Sequence, residues 1–364
     1  MVREPRRWVT FQRCTETAAG GMSLLIPSAV NLRDIILRLG LVGLKKAMRI
    51  SGAALDVVAA VELQASKPIS VVEAELGGSN VDVAGELQSL VHSGLVIRVP
   101  FIDPFLLGFE CYTIGFRVLH EAVEAKYIPL LVRADQVAWV RRHAARGDYS
   151  MGITAPSLGH VVDLFDDFLI GLRGAVTRNH FLVVESWAFY GHKTISRLNV
   201  ERIPLRVGAT HERPRLDELD QRVLRALIPR RHFDLDRVAR ELRIEAVQLT
   251  QSLERLRRMG ILRGLTFRIA PQSLGRRRFD ILVRRRTADV RVKRDIELFA
   301  EEYPQVSVMT NFLGEWDHEI TLEIERRAEL ALFMKTLRSR FGREIERLQW
   351  RETVEDLATS NIFP

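Results

Sequence analysis

Residues 216–275 read LDELDQRVLRALIPRRHFDLDRVARELRIEAVQLTQSLERLRRMGILRGLTFRIAPQSLG, and this stretch decides the fold of the chain. Apolar residues recur at three- and four-residue steps from Leu216 to Leu227, which predicts an amphipathic helix with Asp217 as its N-cap. DLDRVARELRI predicts a second short helix. A third runs from about Glu245 to Met259, and Gly260 closes it as a left-handed C-cap. ILRGLTFRI then alternates apolar and polar residues and predicts a small strand pair. Three short helices followed by a β-wing are typical of a winged helix-turn-helix.

The residues that follow, 276–364, have a different pattern of hydrophobic residues. Strands are predicted at FDILVRR, VSVMTNFL, HEITLEIE and IERLQWRETV, and helices at VKRDIELFAEEY and AELALFMKTLRSRF. In chain order this is βαββαβ, the split arrangement of a ferredoxin-like domain, with an antiparallel sheet and two helices on one face. The predicted fold class is therefore α+β.

A weaker copy of both patterns occupies the N-terminal half. Gly94 aligns with Gly260 and Gly147 with Gly314, so the chain is predicted to hold two winged helix-turn-helix domains, each followed by a ferredoxin-like domain. The predicted segments are a flexible tail (1–28), an extra amphipathic helix with a degenerate first head (29–104), ferredoxin-like domain 1 (105–199), a linker (200–215), the DNA-binding head (216–275) and ferredoxin-like domain 2 (276–364). Met22 is an alternative start.

Composition excludes several classes of protein. The 364 residues are 47% hydrophobic, enough for a sizeable core in each domain. Only Cys14 and Cys111 are present, so a disulfide framework and a thiolate metal site are not expected. No apolar run approaches the ~18 residues of a membrane span. We expect a cytoplasmic protein without cofactor, metal or membrane partner.

The motifs LDELDQRVLRAL, DLDRVARELRI, LERLRRMGILRGLTFRIAPQSLG and FLGEWDHEITLEI resemble those of the Lrp/AsnC family of feast/famine transcription regulators. The resemblance covers 216 to about 356 and, less tightly, 55–199, as in a tandem, two-copy member. It implies a sequence-specific regulator that binds double-stranded DNA through the third helix of the head. It also implies sensing of a small-molecule effector, usually an amino acid. We further expect a homo-oligomer in which the two sheets of each chain pair as a pseudo-dimer.

The residues that match the family's reading helix suit base recognition, because glutamine pairs well with adenine and arginine with guanine. The predicted base contacts are Gln248, Gln251, Ser252 and Arg255, and the predicted phosphate contacts are Arg258, Arg263 and Arg268. A solvated polar helix face is the alternative interpretation.

The matching positions of the first head hold Asp82, Gly85, Glu86 and Ser89, and carboxylates there would repel phosphate. Between Arg255 and Arg294, by contrast, fourteen basic residues face two acidic ones, a surplus larger than the formal charge of +8 of the whole chain. We therefore predict that only the second head binds DNA.

Effector binding is predicted at the turn between the middle strands of each ferredoxin-like domain. Gly314 and Asp317 match the family's G-x-x-D turn, and Gly147 with Asp148 is the equivalent pair in the first copy. In the first copy Ser150 stands at the aspartate position. Glycines that allow a positive φ in a hairpin turn explain the pattern equally well.

No catalytic motif is present, and no enzyme activity is expected. His180 and His192 are expected to be structural. One enzyme class remains an alternative, because sirohaem decarboxylases resemble the same paired architecture, and Arg141, Arg142 and His143 are compatible with a histidine- and arginine-rich strand. A protein-interaction module without DNA binding is the third possibility.

Overall fold

The computed structural model describes residues 51–64, 69–76, 82–134, 136–172, 174–195, 203–227, 235–269 and 271–359. The predicted tail, the predicted extra helix up to Ile50 and Cys14 lie outside these residues. Within them, no helix combines the length and apolarity needed to cross a membrane.

The N-terminal half begins with a three-helix head. Ser51 caps the first helix through a hydrogen bond from the Ala54 N–H to its hydroxyl at 3.0 Å, and Asp82 caps the third by accepting from the Gly85 N–H at 2.9 Å. The elements of this half are α1 (Gly52–Val61), α2 (Ile69–Glu75), α3 (Val83–His92), β1 (Val96–Ile102), β2 (Glu110–Val118), α4 (Glu121–Arg133), β3 (Val137–His143), β4 (Asp148–Ala155), α5 (Leu158–Leu172) and β5 (Val176–Phe189).

The C-terminal half repeats this order. Its third helix buries Leu249, Leu253 and Leu256, and Gly260 follows it with a φ of 74°, as predicted. Its elements are β6 (Leu205–Gly208), α6 (Glu218–Leu227), α7 (Leu235–Leu242), α8 (Ala246–Arg258), β7 (Leu262–Ile269), a 3-10 turn (Pro271–Leu274), β8 (Arg277–Arg285), α9 (Val290–Glu302), β9 (Val306–Gly314), β10 (His318–Ile324), α10 (Arg327–Phe341) and β11 (Ile345–Thr359). The strand β6 pairs with β5, so part of the predicted linker 200–215 is structured.

The wing differs from the prediction. Among the described residues, neither head pairs two strands of its own. Instead β1 of the first head and β7 of the second pair antiparallel, from Val96 opposite Ile269 to Ile102 opposite Leu262. Ile102 packs in the core of the second head, and Phe267 and Ile269 pack in that of the first. The prediction failed because the alternating residues supply one strand per copy, and the other copy supplies its partner.

The two ferredoxin-like domains form one closed sheet, which confirms the predicted pairing within the chain. The strand order is β2-β4-β3-β11-β8-β10-β9-β5, and β5 returns to pair with β2, while β6 adds to the edge of β5. The long strands β5 and β11 each pair with one domain through their first half and with the other through their second half.

The outer and inner faces of the closed sheet carry different kinds of residue. On the outer face, α9 and α10 pack on Phe279, Ile281 and Ile320, and α4 and α5 cover the equivalent surface of the first copy. Side chains alternate across a strand, so the residues between these point into the ring. The interior is therefore lined by a distinct set of residues, several of them charged.

Candidate functional site

The predicted DNA-reading helix α8 presents only part of its expected face. Gln248 and Gln251 are exposed, as predicted. Gln248 also caps its own helix, because its Oε1 accepts a hydrogen bond from the Glu245 N–H at 3.0 Å. To reach a base, Gln248 would have to release this cap.

Ser252 and Arg255 turn toward the inside of the head. Ser252 is fully buried and donates its hydroxyl hydrogen bond to Asp220 on α6. Arg255 donates to the same carboxylate at 2.8 Å and lies 3.2 Å from Asp217. Asp220 is itself buried and needs such partners. The prediction that Ser252 faces outward is therefore wrong, whereas Arg255 stays partly exposed and is paired with Asp217 and Asp220 of its own head.

The predicted phosphate contacts lie in different surroundings. Arg258 is exposed at the end of α8. Arg263 donates to Asp103, a buried residue of the first copy, at 2.9 Å. Arg268 pairs by its backbone with Ile97 in the shared wing. Contact of these residues with DNA stays a prediction.

Many cations of the basic stretch 255–294 pair with carboxylates, most of which come from other parts of the chain. Among the side chains that the structure describes, eight of these cations lie in ion pairs: Arg255, Arg263, Arg276, Arg277, Arg278, Arg284, Arg285 and Lys293. A surplus of charge that is contiguous in sequence is thus not one exposed patch in space. The electrostatic argument for DNA binding is weaker than the sequence indicates.

The predicted effector residues serve the turns that contain them. Asp317 accepts from the Arg285 N–H at 2.7 Å and from its guanidinium at 3.1 Å, and the Gly314 carbonyl accepts from Arg284. The Gly147 backbone has a φ of 72°, and a Cβ there would meet the Val118 carbonyl oxygen at 2.2 Å. Asp148 pairs with Arg117. These contacts account for the four residues without a ligand.

A group of charged side chains points into the closed sheet. We call Arg141, Arg278, Arg351, Asp280 and Glu319 the interior cluster. Asp280 is fully buried and Glu319 is 3% exposed, so the cluster is well removed from water. Of these five residues, the sequence indicates only Arg141 as a candidate site residue. A signal was nevertheless present, because RRFDILV and HEITLEI place charges among the apolar residues of buried strands, where burial disfavours them.

Asp280 is the centre of a hydrogen-bond chain. A carboxylate can only accept, so the Thr353 hydroxyl donates to Asp280 at 2.8 Å. Thr353 can then only accept from His143 Nδ1, which lies 3.3 Å away. His143 Nε2 in turn accepts from the Ser150 hydroxyl at 2.8 Å. The chain therefore runs in one direction from Ser150 to Asp280, and it defines the tautomer of a neutral His143.

Two interior side chains occupy space left by glycines. A Cβ on Gly115 would lie 2.1 Å from the His180 ring, and one on Gly152 would lie 2.1 Å from the Trp139 indole. The Trp139 ring in turn carries the Arg141 guanidinium, 4.1 Å from its centroid. These close approaches fix the position of an aromatic wall and of one cation.

The charges of the cluster act on its histidines. Burial and the nearby Arg351 lower the pKa of His180 to about 3, and burial with Arg351 and Arg141 lowers that of His143 to about 2. Burial alone would raise the pKa of Asp280, but Arg278 and Arg141 hold it below its usual value. At neutral pH the interior thus holds ionised arginines and neutral imidazoles.

A cavity of about 20 Å³ opens beside the cluster. Arg141, Arg278 and Glu319 provide its charged lining, and the remaining walls are Thr113, Trp139, Trp187, Val308, Thr310 and Thr321. This volume holds about one water molecule, so a carboxylate arm would enter only if the walls moved apart, and a macrocycle does not fit. Guanidinium groups beside indole rings can bind the carboxylate arm of an aromatic ligand.

His192 joins the first head to the closed sheet. It pairs with Glu62, the residue that ends α1, and its Nε2 lies 2.6 Å from Glu323 of β10. Burial alone would lower the pKa of His192, but Glu323 and Glu62 raise it to about 10. The expectation of a structural role for His192 fits this contact, whereas His180 lies against Arg351 in the interior.

No protein-family profile matches the sequence, and no curated protein matches it. Solved structures do match. That of the sirohaem decarboxylase NirDL has a TM-score of 0.54 at 15% identity and covers 84% of this chain and 92% of that one. Its complex with an iron-uroporphyrin III analogue gives 0.53. An AsnC family transcriptional regulator from Agrobacterium tumefaciens covers 41% of this chain, at 16% identity and a TM-score of 0.34. The chain thus shares the fold of NirDL, with two heads that are each followed by a ferredoxin-like domain.

Proposed function

We propose that the chain acts on a carboxylate-bearing tetrapyrrole as a decarboxylase of the sirohaem-decarboxylase type, rather than as the DNA-binding regulator that the sequence predicts. The observation that carries this proposal is the cavity between Arg141, Arg278 and two tryptophans. The similarity of fold to NirDL over most of both chains supports it.

The residues around the cavity suit a carboxylate arm. Arg141 and Arg278 can form charge-assisted hydrogen bonds with it, and Trp139 and Trp187 can contact the apolar part of the ligand. The macrocycle itself must lie outside the cavity, or the closed sheet must widen to admit it. Binding of the arm at this position would remove its carboxylate from water.

Decarboxylation breaks the bond between the methylene and the carboxylate carbon. CO2 leaves, and the electron pair left on the methylene takes up one proton to give a methyl group. A carboxylate that is removed from water loses CO2 more readily than a hydrated one. The proton comes from water, because burial together with Arg351 and Arg141 lowers the pKa of His143 to about 2 and keeps its imidazole neutral at neutral pH.

Iron-uroporphyrin III titrated into the purified full-length chain tests the proposal. We expect a shift of the Soret band on binding and, on incubation with sirohaem, loss of CO2 by mass spectrometry. Arg141→Gln should weaken binding more than tenfold, whereas Arg258→Gln, on exposed α8, should not change it. Thermal unfolding checks that Arg141→Gln is folded, and Trp187→Phe probes the same cavity without removing a charge. The absence of any Soret shift, or equal affinities for all variants, would contradict the proposal.

A regulator remains the second candidate, because Gln248, Gln251 and Arg258 are exposed on α8. Footprinting on the DNA upstream of the gene should then show a discrete protected site, lost in Gln251→Ala. Binding that is uniform along any DNA would speak against it. A chain that binds neither tetrapyrrole nor DNA would fit the protein-interaction module.

A further inference from the structure

We propose that the first head is the gate of the closed sheet, and that it must move off one end of the sheet before a macrocycle can reach the interior. The identity of the ligand rests on the proposed function, but the movement of the head can be measured without any ligand. This role suits a head whose predicted reading positions carry carboxylates.

Apolar side chains of the first head pack against the inner face of the closed sheet. Leu63, which follows α1, and Phe101 of β1 lie against a hydrophobic cluster of this face. We call this cluster the inner wall, and it contains Cys111, Trp139, Leu182, Trp187, Phe189 and Phe312. The ring centroids of Phe101 and Phe189 are 5.1 Å apart, and that of Phe105, which follows β1, lies 5.4 Å from Trp187. Because Trp187 also lines the cavity, these contacts close the sheet directly beside the cavity.

The two heads are not equivalent in this respect. Among the residues that the structure describes, no apolar side chain of the second head belongs to the inner wall. The second head packs instead on Ile102 and Leu106, which extend from the first copy into its core. Within the described part of the chain, only the first head therefore covers this end of the sheet.

An ionic contact ties the first head to the closed sheet. The backbone N–H of His192 donates to the Glu62 carboxylate at 2.8 Å, and the imidazole pairs with the same carboxylate. On its other side, His192 Nε2 lies 2.6 Å from Glu323, which also accepts from the Ser307 hydroxyl at 3.0 Å. We call Glu62, His192 and Glu323 the latch. All three residues are buried, so their attraction is strong only while the head stays in place.

The segment that carries His192 is anchored on both sides. Lys193 donates to the carbonyl oxygens of Ala300 and Tyr303 at the end of α9, at 3.2 and 2.8 Å. Two residues further on, Ile195 packs in the core of the first head. Gly191, with a φ of 66°, turns the chain between β5 and this segment. A short segment that begins at a glycine and joins two packed units is suited to act as a hinge.

The latch makes release of the head depend on pH. Burial alone would lower the pKa of His192, but Glu323 and Glu62 raise it to about 10. When Glu62 moves away with the head and water enters, this pKa falls toward its ordinary value of about 6.5. The closed state then binds one more proton than the open state between these two values. A rise in pH over this range therefore favours the open state, by at most about tenfold per pH unit.

The other charged groups near the latch do not explain such a pH dependence. Arg278 of β8 lies close enough to the carboxylate of β10 to lower its pKa, and Arg276 lies 3.8 Å from Glu325. Arginines stay ionised throughout this range. Lys193 is turned away from the latch toward the end of α9. The pH dependence of release is therefore expected to disappear when His192 is replaced.

The thiol of Cys111 can report the opening without any ligand. Cys111 is fully buried in the inner wall, and burial raises the pKa of its thiol, so it reacts only when the sheet opens. In a Cys14→Ser background, the rate of maleimide labelling at one fixed pH measures how often this happens. We expect His192→Gln to raise the rate by about tenfold or more. His318→Gln is the control, because His318 is equally buried but binds Asn311 on the outer face.

Stopped-flow quenching of tryptophan fluorescence by iron-uroporphyrin III measures entry of a macrocycle into the full-length chain. If opening limits entry, the observed rate saturates with ligand concentration. In the wild type, the limiting rate should rise about fivefold or more between pH 8 and 9.5. His192→Gln should bind faster and lose this pH dependence, although it is less stable. Leu63→Ala weakens the apolar contact alone, so it should bind faster and keep the pH dependence.

The outcomes separate the gate from the proposed function. Equal labelling rates of Cys111 in wild type and His192→Gln, or an increase no larger than in His318→Gln at the same loss of stability, would overturn the gate. Macrocycle binding at the same rate in all variants would also overturn it while supporting the proposed function. Faster labelling of Cys111 without macrocycle binding in any variant would support the gate and contradict the proposed function. Leu63→Ala provides the same labelling test if His192→Gln does not fold.

Discussion

Replacement of His192 by glutamine should change both the stability of the chain and its dependence on pH. The folded protein holds the pKa of His192 at about 10, whereas the unfolded chain has the ordinary value of about 6.5. The stabilisation is therefore fully present below about pH 6.5 and is lost progressively as the pH rises to about 10. The same ion pair lowers the pKa of Glu323 to about 2, so the pKa shifts of the two partners describe one interaction and are not additive.

The magnitude follows from the pKa difference. A shift of about 3.5 units corresponds to at most about 5 kcal/mol, and His192→Gln also leaves Glu62 and Glu323 buried without their cation. We expect the variant to lose about 3–5 kcal/mol at pH 6. Between pH 7 and 8.5 the stability of the wild type should fall by an extra ~1.4 kcal/mol per pH unit relative to the variant, because its folded state binds one more proton.

Urea unfolding followed by tryptophan fluorescence, at half-unit steps of pH, measures both quantities. His180→Gln is the matched control, since the pKa of His180 is lowered to about 3 and the residue is neutral in both states above pH 7. Parallel stability curves for wild type and His192→Gln over this window would refute the assignment of a buried imidazolium. Glu62→Gln combined with His192→Gln and Glu323→Gln should recover part of the lost stability.

Three further predictions concern other contacts. Asp220→Ala should destabilise the second head by about 2–3 kcal/mol, because it removes the acceptor of buried Ser252 and the partner of Arg255. Chemical denaturation measures this loss, and a loss below about 0.5 kcal/mol would contradict the inward orientation of Ser252. Gly152→Ala should displace the Trp139 indole, shift the tryptophan emission and weaken macrocycle binding, whereas Gly159→Ala, where a Cβ makes only an ordinary contact 3.7 Å from the Ser157 hydroxyl, should leave emission and binding unchanged. Arg263→Ala should destabilise the pairing of the two heads, because it leaves the buried Asp103 carboxylate without its cation. Amide hydrogen exchange in β1 and β7 should then rise in both strands together.

Periodicity predicted the elements of the fold because each has a regular hydrophobic face. The three-helix heads, both βαββαβ domains and the Gly260 cap follow from residues that are close in sequence. The shared wing does not, because a strand pattern carries no information about which copy supplies its partner. The same limit explains β6 within the predicted linker.

The candidate site was less predictable, because its contacts join residues far apart in the chain. Asp280 meets Thr353 and, through it, His143, and no local motif records such a contact. Ser252 is predicted to face outward because it is polar, and the sequence does not show that a buried acceptor, Asp220 on α6, lies opposite it. The basic stretch 255–294 overstates the exposed positive charge for the opposite reason, since most of its carboxylate partners lie elsewhere in the chain.

The exchange of β1 and β7 between the heads bears on how a duplicated gene can diverge. Each head contains part of its core on a strand from the other copy, so neither half of the chain encodes a complete head. A substitution at Ile102 is selected for its effect on the second head, although it lies in the first copy. The two copies can diverge in surface and chemistry, but their adjoining cores are constrained together, and either half on its own would lack the partner strand of its wing.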